Sequence, residues 1–329
     1  MGATERKALL TNIEKARNSR ALLYVTGDRQ GQETIIHPEV LDHFVDHLDA
    51  IGVTNRISLI LYTRGGDGMA AWSLLNLLRM FCDDLEVIVP VKAHSAGTMM
   101  AIGADNIVMT KQATLSPIDP SINHPLAPQI QGAPVGTRAS VSVEAINGYL
   151  SLARDTLTDE GKAALGPVML DLARQVHPLV LGDTYRRRQQ TQSMAERLLS
   201  PQVKNAEDRK KIISFLSSDS GSHDYTLNRR EAAALKLRIT KCPARLYPTL
   251  RALYHDFRDE MMLRTPFNAS QFPPNAVTPF RNVRAVIESS VGTAVQFVTE
   301  GNFLRQNLAP NQGEAVSVEI TAEGWRTVP

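Results

Sequence analysis

Apolar positions in the first 110 residues follow two alternating rhythms. ALLYVTG (21–27), ISLILYT (57–63), LEVIVPVKA (85–93) and DNIVMT (105–110) are short, nearly continuous apolar runs, the pattern of buried strands. Between them, residues 37–53 place Val40, Phe44, Leu48 and Ile51 at helical spacing, with Pro38 at the start and Gly52 at the end. MAAWSLLNLLRMF (69–81) carries another apolar helical stripe, and HSAGTMMAIGA (94–104) reads as a short helix of small residues. Residues 1–20 read as a charged amphipathic helix. Strands alternating with helices predict an α/β fold with a mostly parallel sheet covered by helices.

From about residue 141 the pattern changes. SVEAINGYLSLARDTL, GPVMLDLARQVHPLVLGDTYRRRQQTQSMAERLL and AEDRKKIISFLSS predict long helices, and NRREAAALKL (228–237) predicts another after the polar loop SSDSGSHDYT. Residues 265–282 are rich in proline and read as a linker. Beyond them, VRAVIESS, AVQFVTEG and AVSVEITAEG predict three short strands. The expected organisation is a main α/β domain over 1–264, a linker over 265–282 and a small β appendage over 283–329.

Composition narrows the class. Of 329 residues, 43% are hydrophobic and 21% charged, which suits a soluble globular chain with a substantial core. Thirty-six Lys and Arg against 34 Asp and Glu leave a formal charge of +2, so whole-chain charge offers no footprint for nucleic acid. Cys82 and Cys242 form no CxxC pair, which disfavours a disulfide framework or zinc site and suits a reducing, cytoplasmic location. No apolar stretch approaches the roughly 20 residues needed to span a bilayer. His43 and His47 share a helical face at a metal-like spacing, but without an HExxH arrangement they and His37 read as surface residues, and no metal or cofactor is expected.

The chemistry concentrates in two glycine-rich turns, each at the carboxyl end of a predicted strand, where an open parallel sheet binds ligands. Ser95 leaves one strand among Ala93, Ala96 and Gly97 and opens a helix, which suits either a displayed nucleophile or a helix N-cap. Gly65 and Gly66 follow another strand, where residues without Cβ let backbone amides turn toward a developing oxyanion. A phosphate loop fits poorly, because no Lys-Ser/Thr pair follows and the GxGxxG spacing is absent.

The run LYTRGGDGMAAWSLLNLLR, then VIVPVKAHSAGTMMAIGADNIVM, then LSPIDP resembles the Clp protease/crotonase superfamily. Within it the chain is most similar to the serine dehydrogenase proteinase family, relatives of signal-peptide peptidase A. The resemblance covers roughly residues 20–240. It implies a spiral ββα core, here with helical additions, a homo-oligomeric assembly, and peptide-bond hydrolysis by a serine nucleophile. Ser95 corresponds to that nucleophile, and Gly65, Gly66 and the amide of Ala96 correspond to the oxyanion hole.

The base departs from the relatives. Asp119 stands where Clp proteases carry their histidine, and ASVSVEAINGY lacks the lysine that opens the corresponding helix of signal-peptide peptidases. His223, in the loop whose counterpart supplies the acidic triad member, is the replacement favoured here, with Asp119 orienting it; the same triad geometry recurs in different chain orders. His94, adjoining Ser95, His177 at a helix break, and Lys92 or Lys111 with a lowered pKa are competing bases. His124 reads as a solvated loop residue, and Arg186, Arg187 and Arg188 as a solvated helical face or subunit contact.

The expected function is a cofactor-free serine peptidase acting on peptides or unfolded segments through an acyl-enzyme, with the carboxyl-terminal strands gating access or binding a protein partner. Two rivals stand beside it. One is a crotonase-type acyl-CoA enzyme using the same amides on an enolate. The other is a catalytically weak oligomeric scaffold.

Overall fold

The computed structural model of the chain describes residues 2–134, 136–156, 165–266, 268, 271–307 and 314–328. In chain order the elements are α1 (Ala3–Arg17), β1 (Arg20–Thr26), α2 (Val40–Ile51), β2 (Thr54–Tyr62), α3 (Gly68–Phe81), β3 (Cys82–Val89), β4 (Lys92–Ala93), α4 (Ala96–Ile102), β5 (Asn106–Met109) and β6 (Thr114–Leu115). There follow β7 (Ser121–Ile122), β8 (Val141–Ser142), α5 (Val143–Thr156), α6 (Leu165–Gln175), α7 (Pro178–Leu199), α8 (Ala206–Ser214), β9 (Leu227–Asn228), α9 (Arg229–Ala234) and β10 (Ile239–Lys241). The chain closes with α10 (Tyr247–Glu260), β11 (Val277–Ser289), β12 (Val295–Asn307) and β13 (Glu314–Thr327). Leu157, the last residue of the first predicted long helix, and Phe267, Ala269 and Ser270 of the predicted linker lie outside the described residues.

The apolar runs become strands because each is covered on both faces. Leu22 and Tyr24 of β1 and Leu59 and Leu61 of β2 face the core shared with α2, α3 and α4. Leu23 and Val25, Ile60 and Tyr62 face the opposite core, shared with α1 and α10. This is the period-2 alternation of a sheet with helices on both sides. Strands β10, β5, β3, β2 and β1 run parallel, in that order.

The carboxyl-terminal strands differ from the expected appendage. β11 pairs antiparallel with β1, from Leu22 opposite Ser289 to Thr26 opposite Ala285, so β11, β12 and β13 continue the main sheet to eight strands. Residues 277–282, read as linker, belong to β11. Its outer half pairs with β12 alone, so Pro279, which has no N–H, sits where one side of the strand has no ladder to interrupt. Helix α2 begins at Val40, which leaves His37 in the preceding loop.

Burial of Arg6 ties this added sheet to the helical layer. Its guanidinium reaches Asp256 at 2.6 Å and Glu260 at 2.5 Å on α10, and Glu288 on β11 at 2.7 Å. The Arg6 side chain is fully buried, so removing it strands carboxylates without their counter-charge. Arg6→Ala is expected to cost about 3–5 kcal/mol, read as a lower midpoint in urea unfolding.

A second, three-stranded sheet governs the functional geometry. β4 pairs parallel with β6, and β6 pairs antiparallel with β9. A bridge between Thr63 and Ala93 joins it to the end of β2. The segments that leave β2, β4 and β6, and the one that enters β9, therefore converge.

Candidate active site

Ser95 lies two residues past the end of β4 and takes φ 49 and ψ −116, a conformation that a non-glycine residue adopts only when its surroundings hold it there. Its amide donates to Ser116 Oγ at 2.7 Å, and the amide of Ser116 donates to Thr98 Oγ1 at 3.0 Å. Ser95 occupies the N-cap position of α4, yet its hydroxyl accepts no amide of that helix. The capping role weighed from sequence is absent. Small neighbours permit the turn, since a Cβ on Gly97 would lie 2.3 Å from Thr63 Cγ2.

The two glycines have separate roles. Gly65, at φ 118, packs under the serine, where a Cβ would fall 2.7 Å from Ser95 Cβ and 3.3 Å from Ala96 N. Its amide donates to Thr63 Oγ1 at 2.9 Å. This corrects the expectation that Gly65 offers a free donor. Ile36 clamps the turn from the other side, its amide donating to Gly65 O at 2.9 Å and its carbonyl accepting from Asp67 N at 2.8 Å. That bridge uses the peptides on either side of Gly66 and leaves the Gly66 N–H facing away from Ile36. Among the described residues, the amides of Gly66 and Ala96 have no protein acceptor.

Gly66, at φ 147, has no space for a side chain, because a Cβ would lie 2.4 Å from both the N and the O of Ile36. Gly66→Ala is expected to cost roughly 1–3 kcal/mol, read by thermal unfolding.

Asp119 and His223 form the expected pair. Asp119 Oδ1 lies 2.8 Å from His223 Nδ1, with the carboxylate buried and the imidazole 45% exposed. The β6–β9 register explains a contact across 104 residues of sequence. Leu115 pairs with Leu227, and Asp119 and His223 each lie four residues beyond that pair on the same side. The hydrogen bond to Asp119 is the main cause holding the His223 pKa above its ordinary value; partial burial opposes it.

One cavity of about 430 Å³ is lined by Gly66, Ser95, Ala96, Asp119 and His223. No hydrogen bond joins Ser95 Oγ to His223 in this structure, as is common for catalytic pairs without substrate. Met69 and Gly68 at the start of α3, Met99 on α4, and Arg187, Gln190, Thr191 and Met194 on α7 also line the cavity. His37 lines it from the loop before α2.

The competing bases are engaged elsewhere. His94 Nε2 contacts Thr114 Oγ1 at 2.9 Å, and burial, with nearby Lys92 and Arg64, pushes its pKa down to about 4. His177 caps α7, accepting from Leu179 N at 3.2 Å. Lys92 pairs with Asp28 at 2.5 Å, and Lys111 lies over the Tyr247 ring at 5.0 Å. None of these four lines the cavity. His124 accepts the amide of Leu126 in its loop at 3.0 Å.

The surface reading fails for His47, which is buried against Ser289 Oγ at 2.9 Å; His43 packs on the Trp325 ring. Both answer to strands that no local pattern couples to α2. Ser116, Thr63 and Ile36 went unnoticed as positioning residues. Ser116 opens the SPIDP motif and so had a local signal, whereas Ile36 had none.

A family model described as ClpP-like SDH-type serine proteinase matches residues 3–146. Two uncharacterized proteins of Methanocaldococcus jannaschii are 29% identical over 199 residues and 27% identical over 195 residues. These alignments take in 60% and 59% of this chain, which spans only 58% and 56% of the relatives' length. Among solved structures, the 1510-N membrane-bound stomatin-specific protease shares 14% identity, covering 70% of this chain and 85% of its own, with a TM-score of 0.38. ClpP1 from Listeria monocytogenes shares 12% identity, covering 71% and 99%, with a TM-score of 0.38. TM-scores this low leave both structures as background to the family match.

Proposed function

We propose, for a chain that belongs over residues 3–146 to the ClpP-like SDH-type serine proteinases, a serine peptidase with Ser95 as nucleophile, His223 as general base and Asp119 as the group that orients it. The observation that carries this reading is the Asp119–His223 hydrogen bond on the wall of the cavity that also holds Ser95.

In the first step His223 Nε2 takes the proton of Ser95 Oγ as that oxygen attacks the scissile carbonyl carbon. Asp119 accepts from Nδ1–H, which fixes the tautomer and stabilises the imidazolium as it forms. Charge develops on the carbonyl oxygen, and the Gly66 and Ala96 amides, both without protein acceptors, are the donors available to it. Collapse returns the proton from His223 to the leaving amine and leaves an acyl-enzyme on Ser95. Water, deprotonated by the same imidazole, then releases the acid and regenerates Ser95. Peptides or unfolded segments as substrates, homo-oligomeric assembly and a cytoplasmic location belong to the same proposal. Among the described residues no helix is long and apolar enough to cross a membrane.

Fluorophosphonate labelling followed by mass spectrometry tests the reading. The expected adduct is on Ser95 and is absent from Ser95→Ala. A folded wild-type protein that takes no label at Ser95 overturns it in favour of a scaffold.

A further inference from the structure

The three consecutive arginines of α7 do not share a role. Successive helical residues point about 100° apart, and the structure sends each to a different place. Arg186 pairs with Asp183 at 3.0 Å, and Arg188 reaches Glu144 at 3.5 Å and Ser218 Oγ at 2.8 Å. Arg187 turns to the cavity that holds Ser95 and His223. Among the described residues it has no ion pair or hydrogen bond. The carboxylates that line the same cavity are committed, Asp67 to the amides of Met69 and Ala70, and Asp119 to His223. Among the described residues that line the cavity, this cation is thus left with no carboxylate free to pair with it.

The same face of α7 also carries an apolar end. Residues 187, 190, 191 and 194 follow helical spacing, and Met194 approaches Gly68, where Met99 also lies: a Cβ on Gly68 would be 3.3 Å from Met99 Sδ and 4.0 Å from Met194 Cε. Thioether side chains adapt to varied apolar groups. From Met194 to Arg187 the helix rises about 10 Å, the length of roughly three residues of extended peptide.

We infer that Arg187 is a specificity-determining residue, which takes a carboxylate of the peptide substrate about three residues from an apolar side chain seated on Met99 and Met194. The substrate class is acidic peptide, and the inference rests on the peptidase reading of the cavity. Arg187 takes no part in bond breaking.

Binding to Ser95→Ala, which separates recognition from turnover, is the test. The probes are blocked, fluorescently labelled peptides with Met and Glu three positions apart, in both orders, and their Gln and Lys counterparts. A Glu peptide is expected to bind about tenfold tighter than its Gln counterpart, with the ratio falling to one when Arg187→Gln is added and a Lys peptide preferred with Arg187→Glu. Equal binding of Glu and Gln peptides, a ratio that survives Arg187→Gln, or binding of neither peptide overturns the inference. Labelling of wild type at Ser95 by a fluorophosphonate needs no carboxylate contact, so failure of the peptidase reading shows itself separately.

Discussion

Ser95→Ala is expected to lower kcat for peptide hydrolysis by on the order of 10⁴- to 10⁶-fold, leaving stability within about 0.5 kcal/mol of wild type. Both halves follow from the same observation. Among the described residues the hydroxyl has no hydrogen-bond partner, so its loss leaves none unsatisfied, while the amide that holds the turn through Ser116 is retained in alanine. Single-turnover kinetics together with urea unfolding measure the two effects. A variant that keeps more than about a hundredth of wild-type kcat, well outside the loss expected for a nucleophile, excludes Ser95 from that role.

Asp119→Asn is expected to lower kcat by about 10⁴-fold and also to move the pH profile. In the proposed mechanism His223 works as a base only when neutral, so kcat/KM for wild type is expected to rise with pH through a value above the ordinary histidine pKa of about 6.5, the direction set first by the hydrogen bond to Asp119. Asparagine removes the negative charge, so the acidic limb shifts downward; Nδ1 also ceases to donate to a carboxylate, so the productive tautomer is lost. His223→Ala loses as much rate and has no such limb. A pH–rate profile from about 5 to 9 on the three proteins decides it. An acidic limb unchanged by Asp119→Asn assigns the titration to another group. His94 is poorly suited to be that group, because burial holds it neutral throughout that range and its Nε2 is turned to Thr114.

Much of this site is legible in the sequence. A strand ending in small residues and Ser95, a second strand ending in Gly65 and Gly66, and Asp119 in SPIDP are local signals, each produced by a constraint within a few residues of chain. The union of Asp119 with His223 was reached through family resemblance, and its physical cause is the antiparallel register of β6 and β9, two strands of two residues each. Elements so short have no periodicity to read. The same limit hid the loss of the Gly65 amide to Thr63 Oγ1, since a threonine two residues before a glycine carries no mark of which donor it will accept.

At the chain's end the pattern fixed the strands and left their attachment open. Alternating apolar runs predicted three strands and three strands exist, but alternation is equally compatible with a free-standing ribbon and with the edge of a larger sheet. Arg6 shows what decides between them. In sequence it is one more charge on an amphipathic helix, and in the structure it is buried against Glu288 of β11 and Asp256 and Glu260 of α10, partners 282, 250 and 254 residues away.

Short-range stereochemistry is written in the chain directly. Strand and helix periods, the left-handed turn at the glycines and the crowding at Ser95 depend on neighbours within a turn or two, and they specified the elements and the turn that carries Ser95. Partner choice depends on which distant surfaces exclude water together, and many pairings of the same elements satisfy one hydrophobic pattern. The pairing of His223 with Asp119, the turning of Arg187 alone toward the cavity, and the joining of β11 to β1 were therefore settled when the sheets closed, because burial and hydrogen-bond satisfaction act on the assembled surfaces and not on residues in sequence.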